Sequence, residues 1–140
     1  MSAAGSDRGW FLLFGAWLIA LGGAGGALFI GEVMGQTPCV LCWHQRAFMF
    51  PLAIVLAVAT FRSDVDAWRY GTPLAAIGWL IAAYHCLLYF EVLPKSVEPC
   101  GAGPSCSDAN MTILGSIPIP LLSLGSFTLI IAMLLMARRR

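Results

Sequence analysis

Thiols are the groups through which this chain could do chemistry, and its five cysteines are ordered rather than scattered. Cys39 and Cys42 form a Cys-x-x-Cys, Cys100 and Cys106 stand with five residues between them, and Cys86 lies alone. Paired thiols cross-link a chain, ligate a soft metal or exchange disulfides. As cross-links these pairs are weak, since closing a loop as short as Cys100 to Cys106 is worth about 2 kcal/mol and a CxxC less. Exchange suits them better. A CxxC where a helix begins meets unpaired amides and the positive end of the helix dipole, which favour the reactive thiolate, with Cys42 gaining most. The stretch Glu98-Pro99-Cys100-Gly101-Ala102-Gly103-Pro104-Ser105-Cys106 is rich in Gly and Pro and has no apolar period. Such a loop keeps its thiols accessible, and attack at sulfur requires access.

The elements that must position these residues are membrane spans. Of 140 residues 59% are hydrophobic and 11% charged, with mean hydropathy +0.83, against roughly 45–50% apolar and 25% charged in soluble domains. Four segments approach the ~20 apolar residues that cross a bilayer: Trp10 to Ile30, Leu41 to Phe61, Tyr70 to Phe90 and Ile117 to Ala137. The sequence therefore predicts an all-α, single-domain, four-helix transmembrane bundle over residues 1–140. The first segment is not read as a cleaved signal peptide, because its apolar run reaches Ile30 unbroken and is too long for a typical signal core. The polar run Cys42, His44, Gln45 and Arg46 at the start of the second segment is expected at the interface.

Basic residues set the orientation. Arg8, Arg62, Arg69 and Arg138 to Arg140 fall on one side and Arg46 and Lys95 on the other, so the positive-inside rule puts both termini in the cytoplasm. Cys39, Cys42, Cys100 and Cys106 then face outward, where disulfides persist. A net charge of +1 provides no field to recruit nucleic acid or acidic substrates, and the terminal Arg run reads as a topology anchor. Gly22 and Gly26 form a GxxxG that predicts close packing of the first helix on a neighbour. Pro51 predicts a kink in the second helix, Pro73 suits the start of the third, and Pro118 and Pro120 mark the entry to the fourth.

Arg46 lies four residues after Cys42 and so shares a helix face with it. Its guanidinium suits a thiolate, an anionic group, or the carbonyl oxygens and reduced charge of a quinone; alone, it would read as a snorkelling interfacial residue. His85, inside the third helix, reads in isolation as a bond to a neighbouring helix, and Cys86 as a small apolar residue. Two other functional classes compete: a metal-binding or transport protein using Cys39, Cys42 and His44, and a scaffold with structural disulfides. The spans lack the ionisable residues of a transport path, His85 apart, and the disulfides are poor staples.

The stretch Thr37-Pro38-Cys39-Val40-Leu41-Cys42-Trp43-His44-Gln45-Arg46 resembles the DsbB family of disulfide bond formation proteins, whose hallmark is a PCxLCxxQR-like run at the start of the second transmembrane helix. The resemblance continues through Phe48 to Leu52, Tyr84-His85, the second cysteine pair and Ile117-Pro118-Ile119-Pro120, covering about Gln36 to Phe127. It implies a quinone-dependent protein-disulfide oxidoreductase of the bacterial inner membrane that reoxidises a DsbA-like thioredoxin-fold partner outside the membrane. Cys100 would form the mixed disulfide with the partner and Cys106 complete the outer pair. Electrons would pass to Cys39 and Cys42, with Cys42 facing the quinone (ubiquinone or menaquinone), Arg46 binding it and His85 near it. No metal is assigned. The short spacing between Cys100 and Cys106 resembles the BdbC-like branch. The vitamin K epoxide reductase family combines similar parts, but there the quinone-side CxxC follows the loop pair, whereas here Cys39 and Cys42 come first. A DsbA-like oxidant near −120 mV and a thioredoxin-type CxxC near −270 mV leave an opposing gap of about 150 mV, or about 7 kcal/mol for two electrons, so either the surroundings raise the potential of these pairs or a strongly oxidising acceptor such as a quinone drains them.

Overall fold

The computed structural model describes residues 3–94, 112–113 and 117–139. Its long elements are all helical. Helix α1 spans Ala3–Leu28 and runs on as a π-helical turn, Phe29–Val33; α2 spans Val40–Phe61, α3 Trp68–Tyr89 and α4 Ile119–Arg138. All four are long and apolar enough to cross a membrane. They pack in a ring in chain order, α1 on α2, α2 on α3, α3 on α4 and α4 back on α1. A two-residue antiparallel pairing, β1 (Thr112–Ile113) with β2 (Ile117–Pro118), leads into α4.

Solvation explains this helical architecture. In hydrocarbon every backbone N–H and C=O needs an internal partner, and a helix supplies it from its own segment. The outward faces are apolar, with Ile54 67% and Leu80 62% exposed, as expected where the surroundings are lipid. The interior is built mainly from small and branched residues, with one large ring: Leu13, Ala16 and Ala20 of α1, Leu52 and Leu56 of α2, Ala75 and Ala82 of α3, and Phe127, Ile130 and Leu134 of α4. The protein is thus a multi-pass membrane protein of the expected four-helix class, its helices starting and ending within a few residues of the predicted limits except for α1, which begins earlier.

The helix ends opposite the CxxC are fastened by polar and aromatic contacts. The Trp10 indole N–H donates to the Thr60 carbonyl at 3.1 Å, and the Arg138 guanidinium lies 4.8 Å from the Trp68 ring centroid. Asp64 caps the short 3₁₀ turn Val65–Ala67, accepting from the Asp66 amide and from the Tyr70 hydroxyl at 2.7 Å. That cap starts the third span early, so Pro73 lies inside α3 rather than at its beginning. Pro118 is the N-cap of α4 and Pro120 follows in its first turn. Pro51 lies within α2, which is assigned as one continuous helix.

Glycine governs the α3–α4 contact. A Cβ on Gly78 would overlap the ring of Phe127, a fully buried side chain, so the two helices approach as they do because position 78 has no side chain. Gly78→Ala should therefore lower stability by about 1–3 kcal/mol through overpacking, read as a lower midpoint of thermal unfolding in detergent by circular dichroism. Gly25→Ala, where a Cβ meets none of the described residues within 4 Å, should be neutral or slightly stabilising.

Candidate redox site

Helix α2 begins at its CxxC. Pro38 precedes the first turn, and Cys39 is the N-cap, extended at φ −74° and ψ 174°, with its carbonyl accepting from the Trp43 amide at 3.1 Å. The Cys39 side chain makes no cap hydrogen bond among the described residues, so the first amides and dipole of the helix act on the two thiols. Cys39 is completely buried and donates its S–H to the Cys42 sulfur at 3.4 Å. That hydrogen bond and burial push the Cys39 thiol up to about 12, partly opposed by a bond from His85. The pair is asymmetric: Cys39 keeps its proton inside the protein, and Cys42, half-buried, lines a cavity.

Behind Cys39 stands a second polar layer. His85 of α3 is wholly buried, with Nε2 3.7 Å from the Cys39 sulfur and Nδ1 2.8 Å from the amide nitrogen of Gln45. With the Gln45 amide donating to Nδ1, the proton sits on Nε2 and is donated to Cys39. The bonds then run in one direction, Gln45 to His85 to Cys39 to Cys42. Turning the amide over reverses the imidazole, so Gln45 selects the tautomer. Gln45 is 7% exposed; its side chain turns into the bundle, where α3 brings a buried ring nitrogen that needs a partner.

The cavity, about 410 Å³, lies among α1, α2, α4 and the segment before Cys39. Cys42, Gln45 and Arg46 supply its reactive and polar lining from α2, and Ser123 and Ser126 contribute from α4. Arg46 donates to the Ala27 carbonyl at 2.7 Å, its guanidinium carbon 5.3 Å from the Trp43 ring centroid. Among the described residues no carboxylate pairs with it, the ion pair found being Arg69 with Asp66. A Cβ on Gly31 would come within 3.1 Å of Arg46 Nη2, so this glycine of the π-helical turn leaves room for the guanidinium.

Gly22 and Gly26 also line the cavity, and among the described residues a Cβ at either would meet nothing within 4 Å. The GxxxG of α1 therefore does not seat a neighbouring helix, as its spacing suggested, but leaves a smooth wall. The structure brings Cys39, Cys42, Arg46 and His85 together at this end of the bundle. His85 is not among the cavity-lining residues; it faces Cys39. His44 points away, its Nδ1 donating to the Val40 carbonyl at 2.8 Å from an exposed position, so the set Cys39, Cys42 and His44 is not formed. One helical step separates His44 from Gln45 and sends the two side chains to different faces. Cys86 is buried in α3. Cys100 and Cys106 lie outside the described residues. Gln45 and Gly31 carry no site role in the sequence reading; for Gln45 the available signal is its place in the PCxLCxxQR-like run, and for Gly31 there is none.

Two thiols held at a helix start inside a membrane bundle, one sealed and one open, place the protein in the class of membrane thiol–disulfide oxidoreductases. Comparison with known proteins agrees: residues 6–137 match the family model described as Disulfide bond formation protein DsbB, and the chain belongs to that family. It is 52% identical to a "Probable disulfide formation protein" of Metapseudomonas resinovorans, over 100% of this chain and 98% of that protein. It is 38% identical to "Disulfide bond formation protein C" of Bacillus subtilis (strain 168), over 85% of this chain and 86% of that protein. A Deinococcus radiodurans "Probable disulfide formation protein" is 36% identical over 91% and 89% of the two chains. No solved structure matches.

The asymmetry of the pair is directly measurable. When the reduced protein in detergent is treated with iodoacetamide and digested for mass spectrometry, Cys42 should be alkylated about tenfold or more faster than Cys39, because access and thiolate character both favour it. Equal rates at the two positions would contradict the burial of Cys39.

Proposed function

We propose that the protein reoxidises a DsbA-like thioredoxin-fold partner at the outer face of the bacterial inner membrane and passes the electrons through its two cysteine pairs to a quinone. The observation that carries this reading is the shared cavity of Cys42 and Arg46: a sulfur and a guanidinium open on one apolar, glycine-walled space within a membrane bundle. Pockets of this kind, mostly apolar with a few convergent polar groups, are the usual form of a small-molecule site.

The residues present fit such an acceptor. Arg46 and Gln45 would hold its polar ring, and the Gly22–Gly26 wall leaves space for a flat, lipid-soluble body. A bound quinone supplies a sink for two electrons and two protons. The chain's residues do the rest. The partner's dithiol reduces the Cys100–Cys106 disulfide through a mixed disulfide at Cys100, the partner leaving oxidised. The new Cys100 and Cys106 thiols then reduce the Cys39–Cys42 disulfide and become a disulfide again. Restoring the Cys39–Cys42 bond releases two electrons and two protons, with Cys42 giving up electrons toward the cavity and Cys39 losing a proton it holds tightly. His85, against Cys39 rather than the cavity, is placed to steady that sulfur as its charge changes, and Arg46 favours negative charge on the cavity side. Basic residues at the opposite helix ends support cytoplasmic termini, with both cysteine pairs facing the periplasm or outside.

Quinone reduction by the purified protein, followed by absorbance after adding a reduced DsbA-like partner, tests the reading. Cys42→Ser should abolish turnover, and loss of activity with both ubiquinone and menaquinone in folded wild-type protein would overturn it. Arg46→Ala should raise KM for quinone about tenfold or more, in line with loss of a charge-assisted hydrogen bond, while both disulfides still form. Gly22→Leu should do the same by filling the cavity, with KM for the partner unchanged. Cys100→Ser should end partner oxidation yet leave Cys39 and Cys42 reacting with quinone.

A further inference from the structure

The sulfurs of Cys39 and Cys42 and the nearer ring nitrogen of His85 all lie within 4.8 Å of one another. The Cys39 sulfur is 3.4 Å from that of Cys42 and 3.7 Å from Nε2 of His85. Bond lengths of about 2.3 Å to sulfur and about 2.0 Å to nitrogen in a tetrahedral site require ligand separations of roughly 3.4–3.8 Å. Two of the three edges of such a face are thus near the required length before any ion arrives, and the third, from Cys42 to His85, lies within 4.8 Å. The fourth corner has a source as well, since Cys42 lines the cavity and water could enter from there.

The surroundings complete the site. A histidine that binds a metal through one nitrogen commonly donates its other N–H to a fixed acceptor. Gln45 lies 2.8 Å from Nδ1 of His85, and with its amide turned so that the oxygen faces Nδ1 it accepts that proton and leaves Nε2 bare toward the sulfurs. His44, next to Gln45 in the chain, is not available because it is bonded to the Val40 carbonyl. Two thiolates balance a divalent charge, and two sulfurs with one imidazole form a soft, tetrahedral set that suits zinc and its relatives.

We propose that the reduced Cys39–Cys42 pair, with His85 as third ligand and Gln45 behind it, is a redox-gated binding site for a thiophilic divalent cation of the zinc class. Binding replaces the two thiol protons and the tautomeric proton facing the sulfurs relocates to Nδ1; no electrons move. When the pair is a disulfide neither sulfur is a thiolate and the site ceases to exist. The ion therefore captures the two-electron-reduced state and, if the proposed quinone activity holds, blocks reoxidation by occupying its electron donor. The binding itself does not depend on that activity.

Cobalt reports the geometry. The full-length protein carrying Cys100→Ser and Cys106→Ser, so that the outer thiols cannot contribute, is reduced in detergent, freed of reductant and titrated anaerobically with Co²⁺. One equivalent should bind with a thiolate-to-cobalt absorption band and tetrahedral ligand-field bands, both bleached by Zn²⁺, and protein reoxidised at Cys39–Cys42 should show neither. Cys42→Ser should remove the charge-transfer band. Gln45→Ala should weaken binding about tenfold or more, as loss of an outer hydrogen bond to a metal-bound histidine does, and His85→Ala further, with circular dichroism confirming that each variant is folded. No band in the reduced protein would overturn the site, as would a band with unchanged affinity in both folded His85→Ala and Gln45→Ala. Failure of quinone turnover with intact Co²⁺ binding would instead overturn only the functional reading above.

Discussion

The hydrogen bond between Gln45 and His85 is the contact on which the site depends. Both side chains are buried in a bundle whose other interior residues are overwhelmingly apolar, and an unmet polar group there costs about 1–3 kcal/mol or more. The bond therefore acts as a registration mark between α2 and α3. Sliding either helix by one turn would strand an amide and an imidazole together. With the register held, Nε2 of His85 falls beside Cys39, and Cys39 in turn beside Cys42. The reactive sulfur is at the end of a chain of contacts whose origin is a structural need, the satisfaction of buried polar groups.

The same helix start gives the two cysteines different roles. Cys39, as N-cap, turns inward and is sealed by Leu41, Leu88 and neighbours. Cys42, in the first turn, opens on the cavity. A disulfide-exchanging pair benefits from this division, because one sulfur must meet an outside reagent while the other resolves the bond. Arg46, one turn further along the same face, adds the only cationic side chain among the cavity-lining residues described.

Small residues shape the bundle in two opposite ways. At Gly78 the missing side chain is filled by the Phe127 ring, and α3 and α4 close on each other. At Gly22 and Gly26 none of the described residues fills the gap, and the space becomes part of the cavity beside Cys42. Gly31 in the π-helical turn makes room for Arg46, whose guanidinium is tied to the Ala27 carbonyl. π-Helical turns are common at functional sites, and here the turn lies where α1 meets the cationic side of the cavity.

The sequence by itself determined the four spans, because hydrocarbon admits only long apolar helices and their lengths are written in hydropathy. It also determined that Cys42 and Arg46 share a face, because four residues are one helical turn, and that the CxxC lies at a helix start, because Pro38 and the polar run before Ala47 interrupt the apolar pattern. Only the tertiary structure decided which helix each face meets. It turned Gln45 inward and His44 outward, set His85 against Cys39 instead of the cavity, and made an open wall of a GxxxG whose spacing reads as a packing motif. The physical reason is common to all three: periodicity along one helix defines its faces, whereas what lies opposite a face depends on the rotation and register of another helix, which short-range spacing does not encode.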